Sequence, residues 1–281
     1  MIAQEYEESF VDFGEAAWFF ADQRLKMDDE RDLNYVCENL QAAGLSVTRV
    51  EVDPKAEVER CDLSATDTRE KYLIEVKGIN DEVKIKQVLC KGEMFETTRS
   101  HVYRNRVAKE IHKAKSQLQS TAEEYKDHLW LVALIAKSKY DARFMHEQIL
   151  GTLYGVAAIT DCEADGKRRR RRCLYFSESA FHKHPEVDGA ILLGVDGISL
   201  HMNDYSSRID RVRRSGLACF LEQYKVVYDK EAMEDRCDCL VADFEMDRSD
   251  VRAVIERLKE KYHGRNLQAM NWQRWEGIAR I

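Results

Sequence analysis

The chain has 281 residues, enough for one large domain or two small ones with a core that needs no covalent staples. Its 44% apolar and 34% charged content is that of a globular protein, and no apolar run reaches the roughly 18 residues of a membrane span. The net charge of −7 excludes a surface coated uniformly for polyanions, so any phosphate contact must come from local basic patches. The acidic N-terminus MIAQEYEESF has no apolar leader core, and eight cysteines lying largely in apolar runs read as reduced thiols; a cytoplasmic location is expected.

Residues 13–25 and 32–43 read as helices, the second with Leu33, Val36, Cys37 and Leu40 at helical spacing and Gly44 as its stop. Three strands are expected next, at 45–52, 58–65 and 71–76. The last of them, KYLIEV, is rich in β-branched and aromatic residues, and the polar stretch 66–70 is its hairpin loop. Residue pairs across an antiparallel hairpin sum to a constant, so a loop centred between Thr68 and Arg69 sets Asp62 opposite Glu75. Side chains alternate along a strand, which puts Glu75 and Lys77 on one face. Asp62, Glu75 and Lys77 therefore converge.

Two carboxylates facing each other in a half-buried sheet repel unless something positive lies between them. A hard divalent cation, Mg²⁺ or Mn²⁺, is the usual partner for such oxygen ligands. Lys77 is placed to orient or deprotonate a water, or to neutralise charge developing on a phosphoryl oxygen. Metal-assisted phosphodiester hydrolysis suits this trio. The alternative for an acid-x-Lys triplet on a strand is a solvated face with a weak surface ion pair.

Residues 79–104 form a polar connection, longer than most loops and so either functional or partly structured; Lys84, Lys86, Lys91, Arg99 and His101 lie in it. Helix 105–125 follows, its stripe made by Val107, Ile111, Ala114, Leu118 and Tyr125. Arg106, Lys109, Lys113 and Lys115 lie off that stripe, which leaves a basic side for nucleic-acid backbone near the site. Residues 128–136 are apolar almost throughout, as in a strand buried on both faces. A helix is expected at 140–150, and 152–160 reads as a strand extending the same sheet.

The basic run from Lys167 comprises Arg168, Arg169, Arg170, Arg171 and Arg172, and Arg208, Arg211, Arg213 and Arg214 make a second cluster. Phosphate contact, an acidic partner protein or a solvated loop are the readings of the run. Residues 190–202 form a hairpin around Asp196-Gly197, 220–228 and 239–244 read as strands, and 249–262 as an amphipathic helix. Cys237 and Cys239 lack a second pair at zinc-site spacing, and no phosphate-binding glycine loop or nucleophile elbow is present. The division expected is a core over 1–162 and a C-terminal α+β elaboration over 163–281 packed on it.

An Asp followed on the next strand by an acid-x-Lys triplet, in the order helix, three strands, helix, strand, resembles the PD-(D/E)XK nuclease superfamily over residues 33–136. The resemblance implies an α/β fold with a restriction-endonuclease-like core, a central mixed sheet flanked by helices. It makes Asp62 and Glu75 ligands of Mg²⁺ or Mn²⁺ and Lys77 the catalytic lysine, with Glu15 or Glu38 as a further acid from the first helix. Cys61 stands where the name motif has proline. The implied activity is cleavage of DNA, as an endonuclease, in antiviral defence against foreign DNA or in repair, by a homodimer or with a partner subunit and without a membrane. An RNA-directed nuclease, or a binding or assembly module without turnover, are the alternatives.

Overall fold

The nearly unbroken apolar run in Leu129–Lys137 is the middle strand of the molecule, buried by helices on both faces. The computed structural model describes residues 29–51, 60–80, 95–100, 105–137, 142–162, 166–194, 197–263, 265–270 and 273–278. The N-terminal part runs α1 (Asp29–Ala42), β1 (Ser46–Arg49), β2 (Leu63–Thr66), β3 (Lys71–Asn80), β4 (Phe95–Ser100), α2 (Asn105–Ala122), β5 (Leu129–Lys137), α3 (Ala142–Tyr154) and β6 (Ala157–Cys162). It continues through β7 (Arg168–Leu174), α4 (Ala180–Lys183), β8 (Gly189–Gly194), β9 (Gly197–Met202), α5 (Ile209–Arg214) and α6 (Gly216–Glu222). The last elements are β10 (Val227–Tyr228), α7 (Lys230–Cys237), β11 (Leu240–Val241), α8 (Val251–Lys261), β12 (Asn266–Met270) and β13 (Gln273–Ile278).

The fold is α/β, with a mixed seven-stranded sheet in the order β1-β2-β3-β5-β8-β9-β10. Strands β1, β2 and β3 form an antiparallel meander, β3, β5 and β8 are parallel, and β9 turns back against β8. Side-chain alternation separates two cores. Leu73 and Ile79 of β3 and Val132 and Leu134 of β5 pack with Val107, Ile111, Ala114 and Leu118 of α2 and with the apolar side of α3. Tyr72, Ile74, Leu131 and Ala133 face the other way, against Val36 and Leu40 of α1 and Leu217 and Leu221 of α6. Each large aliphatic side chain so buried contributes about 1.5–3 kcal/mol.

Two expected elements differ. Residues 152–160 do not extend the first sheet: α3 continues to Tyr154, Gly155 turns the chain at φ +59, and β6 begins a second sheet in the order β11-β7-β6-β12. A Cβ on Gly155 would meet the Ser177 carbonyl at 2.2 Å, so only glycine allows that turn. Residues 220–228 are mostly helix and turn, because Leu217, Ala218 and Leu221 lie on one helical side and Ser215 caps α6 by accepting the Ala218 N–H. The connection after β3 is partly structured, since β4 pairs with β13. The first sheet also crosses the expected division at residue 162, because β5 pairs with β8. The 190–202 hairpin forms, but Gly194 pairs with Gly197, so Gly197 is the first residue of β9 rather than a central residue of an Asp-Gly turn.

Candidate functional site

The β2–β3 ladder pairs Leu63 with Ile74 and Ser64 with Leu73, so the next step outward sets Asp62 opposite Glu75. Asp62 lies just before the ladder begins, and its Oδ2 accepts the Val76 N–H at 2.8 Å. Glu75 is 1% exposed, on the α2 face of the sheet between Leu73 and Lys77. Lys77 Nζ donates to Glu75 Oε1 at 2.6 Å and to Gln117 Oε1 of α2 at 2.8 Å. The three residues expected to converge are brought together.

The electrostatics are those of a carboxyl pair short of positive charge. Burial, followed by the neighbouring negative charge of Asp62, outweighs the attraction of Lys77 and pushes Glu75 up to about 8. Glu75 Oε1 takes the Lys77 ammonium, while the buried Oε2 accepts no N–H or O–H from another residue and has only the Asp62 carboxyl beside Glu75 to share its proton. Such an atom costs about 1–3 kcal/mol unless something satisfies it. A divalent cation would do so and would favour the ionised carboxylates. Among the described residues no group of three or more His, Cys, Asp or Glu side chains is arranged to hold a metal. A site of two carboxylates is nevertheless a normal one for Mg²⁺, which keeps waters and takes phosphate oxygens for its other positions.

Gln117 is a site residue that sequence reasoning missed. Its only signal is a polar side chain at the margin of the α2 stripe, three residues from Ala114 and next to Leu118. Cys61, just before Asp62, is buried, and its N–H donates to Thr121 Oγ1 at 2.9 Å. Proline could not make that bond. Thr121 in turn donates to the Gln117 carbonyl at 2.9 Å, so the backbone before Asp62 is tied to the helical turn that carries Gln117.

Arg106, Lys109 and Lys113 are exposed on α2, as expected. Glu38 is exposed on α1, and α1 packs against the sheet face opposite Glu75, so it does not join the pair. Glu15, Lys84, Lys86, Lys91 and His101 lie outside the described residues. The arginine run is not a loop: Arg168 to Arg172 are β7, hydrogen-bonded to β6. Arg171 reaches Asp161 at 3.0 Å and also pairs with Asp238, while Arg172 pairs with Glu147 at 2.6 Å. Arg169 and Arg170 also interact with neighbouring groups.

In the second arginine cluster Arg208, Arg211 and Arg213 serve the fold, while Arg214 is exposed and donates to the Asp210 carbonyl. Arg208 pairs with Asp188 at 2.8 Å and lies over the Trp130 ring, Arg211 pairs with Glu70 at 2.6 Å, and Arg213 with Asp229 at 3.1 Å. The described cysteines are free thiols, and among the described residues no helix is long and apolar enough to cross a membrane. Comparison with known proteins finds no matching family model, no matching curated protein and no matching solved structure.

Proposed function

We propose that the chain is a metal-dependent nuclease with a restriction-endonuclease-like core that hydrolyses DNA phosphodiester bonds, in defence against foreign DNA or in repair. One observation carries this reading: a carboxyl group that is 1% exposed, with one oxygen that accepts no protein N–H, held against a second carboxyl and a fixed lysine. A solvated surface pair would have neither the burial nor the oxygen without a protein donor. In this reading Asp62 and Glu75 hold Mg²⁺ or Mn²⁺, which supplies Lewis acidity at the phosphoryl oxygen and a more acidic water.

The remaining work falls to the chain's own groups. An ammonium has three N–H donors, and Glu75 and Gln117 take two of those on Lys77. The third is left for a water or a phosphoryl oxygen, with the direction of Nζ fixed by the other two. Charge so placed acts most strongly where water is excluded, and Lys77 is 17% exposed. Arg106, Lys109 and Lys113 of α2 would hold backbone phosphates, which position substrate without reading sequence. DNA is preferred to RNA because no aromatic-rich stacking motif of the kind that binds single-stranded RNA stands out in the sequence.

The test is cleavage of plasmid and single-stranded DNA with Mg²⁺ or Mn²⁺ and with EDTA. Wild type should cut only with metal, and Glu75→Ala and Lys77→Ala should not cut. Gln117→Ala should keep activity but lose roughly ten- to hundredfold in kcat, the effect of one hydrogen bond to a charged group worth about 1.5–3 kcal/mol. Undiminished cleavage by Glu75→Ala or Lys77→Ala removes the assignment.

A further inference from the structure

Strand alternation divides the arginine run into two sets with different surroundings. Arg169 and Arg171 share the face that carries Asp161 and Cys173, the side on which α8 packs. Arg168, Arg170 and Arg172 share the other face, which is directed to α3 through Arg172 and Glu147. Where β7 runs beyond that pair, Arg168 and Arg170 are exposed, flanked on this face by Thr160 and Cys162 of β6 and by exposed Gln268 and Asn266 of β12.

The placement of this face follows from contacts between β7 and α3. The Tyr175 N–H bonds the Tyr154 carbonyl and Arg172 pairs with Glu147, so going up β7 from Leu174 to Arg168 follows α3 back toward its N-terminus. That N-terminus lies a few residues beyond the C-terminal end of β5. Thr121 bonds Cys61 and Gln117 bonds Lys77, so α2 runs antiparallel to β3 and its N-terminal half also lies toward the C-terminal ends of the parallel strands. Arg106, Lys109 and Lys113 are therefore at the same end of the molecule as Arg168 and Arg170.

We infer that Arg168 and Arg170, on the exposed face of β7, continue the basic surface of α2 as one track for a nucleic-acid backbone, while Arg171 and Arg172 brace the fold. Side chains two apart on a strand are about 6.6 Å apart, close to the separation of successive phosphates along one strand. The guanidinium is also the side chain best suited to phosphate oxygens, to which it can donate two parallel bonds. The choice of nucleic acid as the polyanion rests on the nuclease reading, but binding is measured without metal and so apart from turnover.

The experiment is fluorescence anisotropy of the full chain with a labelled DNA duplex in EDTA, over about 50–200 mM salt. Log K should fall steeply with log salt, and Arg168→Ala/Arg170→Ala should weaken binding and flatten the slope by up to about 1.8, or 0.9 per lost contact. Arg168→Lys/Arg170→Lys keeps both charges and should restore the slope. Arg171→Ala should instead lower the melting temperature, because Asp161 and Asp238 lose a shared partner. An unchanged slope in a double alanine variant that melts like wild type overturns the inference, as does wild-type binding that ignores salt. Failure of the nuclease reading would appear separately, as absence of cleavage with Mg²⁺ in a protein that still shows this binding.

Discussion

Glu75→Gln should make the metal-free protein more stable than wild type at about pH 9, on the order of 3–5 kcal/mol in denaturant unfolding. The folded protein holds the Glu75 proton up to about pH 8, whereas the unfolded chain releases it near 4.5. Between those values the folded state binds a proton that the unfolded state has lost, so stability falls as pH rises through the window. Below about 4.5 and above about 8 the contribution is flat. A glutamine carries no charge to desolvate and removes the slope, so the advantage of the variant should vanish toward about pH 4. A wild type whose stability is level across this window, and equal to that of the variant, would remove the physical basis of the site.

Asp188→Ala should cost about 3–5 kcal/mol, a loss read from urea unfolding at neutral pH. Asp188 is fully buried immediately before β8; one of its oxygens takes the Trp130 N–H at 2.7 Å and the other takes the Ser206 hydroxyl at 2.5 Å. Arg208 bonds the same carboxylate and also donates to the His128 carbonyl at 2.8 Å. Removing the carboxylate leaves a guanidinium without its counter-charge and a strand N–H without an acceptor, the costly way to break a partly buried pair. Asp188→Asn keeps an acceptor and should cost less. A loss below about 1 kcal/mol for Asp188→Ala would show that the pair is only a surface contact.

The β2–β3 hairpin is legible in the sequence because two independent constraints agree on it. Apolar alternation fixes which residues of β3 face each core, and a short polar loop fixes the sum of paired residue numbers; Leu63 opposite Ile74 satisfies both. The elements α1, β1, β2, β3, α2 and β5 are legible from their apolar periods, whereas β4, in the polar connection before α2, is not. Gln117 is not, because its bond to Lys77 depends on how α2 is rotated against the sheet, and a single polar residue beside an apolar stripe does not encode that. Arginines carry almost no strand signal, so β7 is hidden: what makes it a strand is pairing with β6, a non-local contact. The apolar residues at 217–221 are compatible with both periods over so short a stretch, and the Ser215 cap decides for helix.

If Asp62 and Glu75 form one cation site, the melting temperature should rise with Mn²⁺ at about pH 8.5, where Glu75 is largely ionised. Wild type should gain about 2.7 kcal/mol at a Mn²⁺ concentration one hundred times the dissociation constant, and the gain should shrink toward about pH 6 as protons compete for Glu75. Asp62→Ala and Glu75→Gln should show little of it. An equal Mn²⁺ shift in wild type and in Asp62→Ala, or none in wild type at any concentration, would show that Asp62 and Glu75 do not hold a cation together.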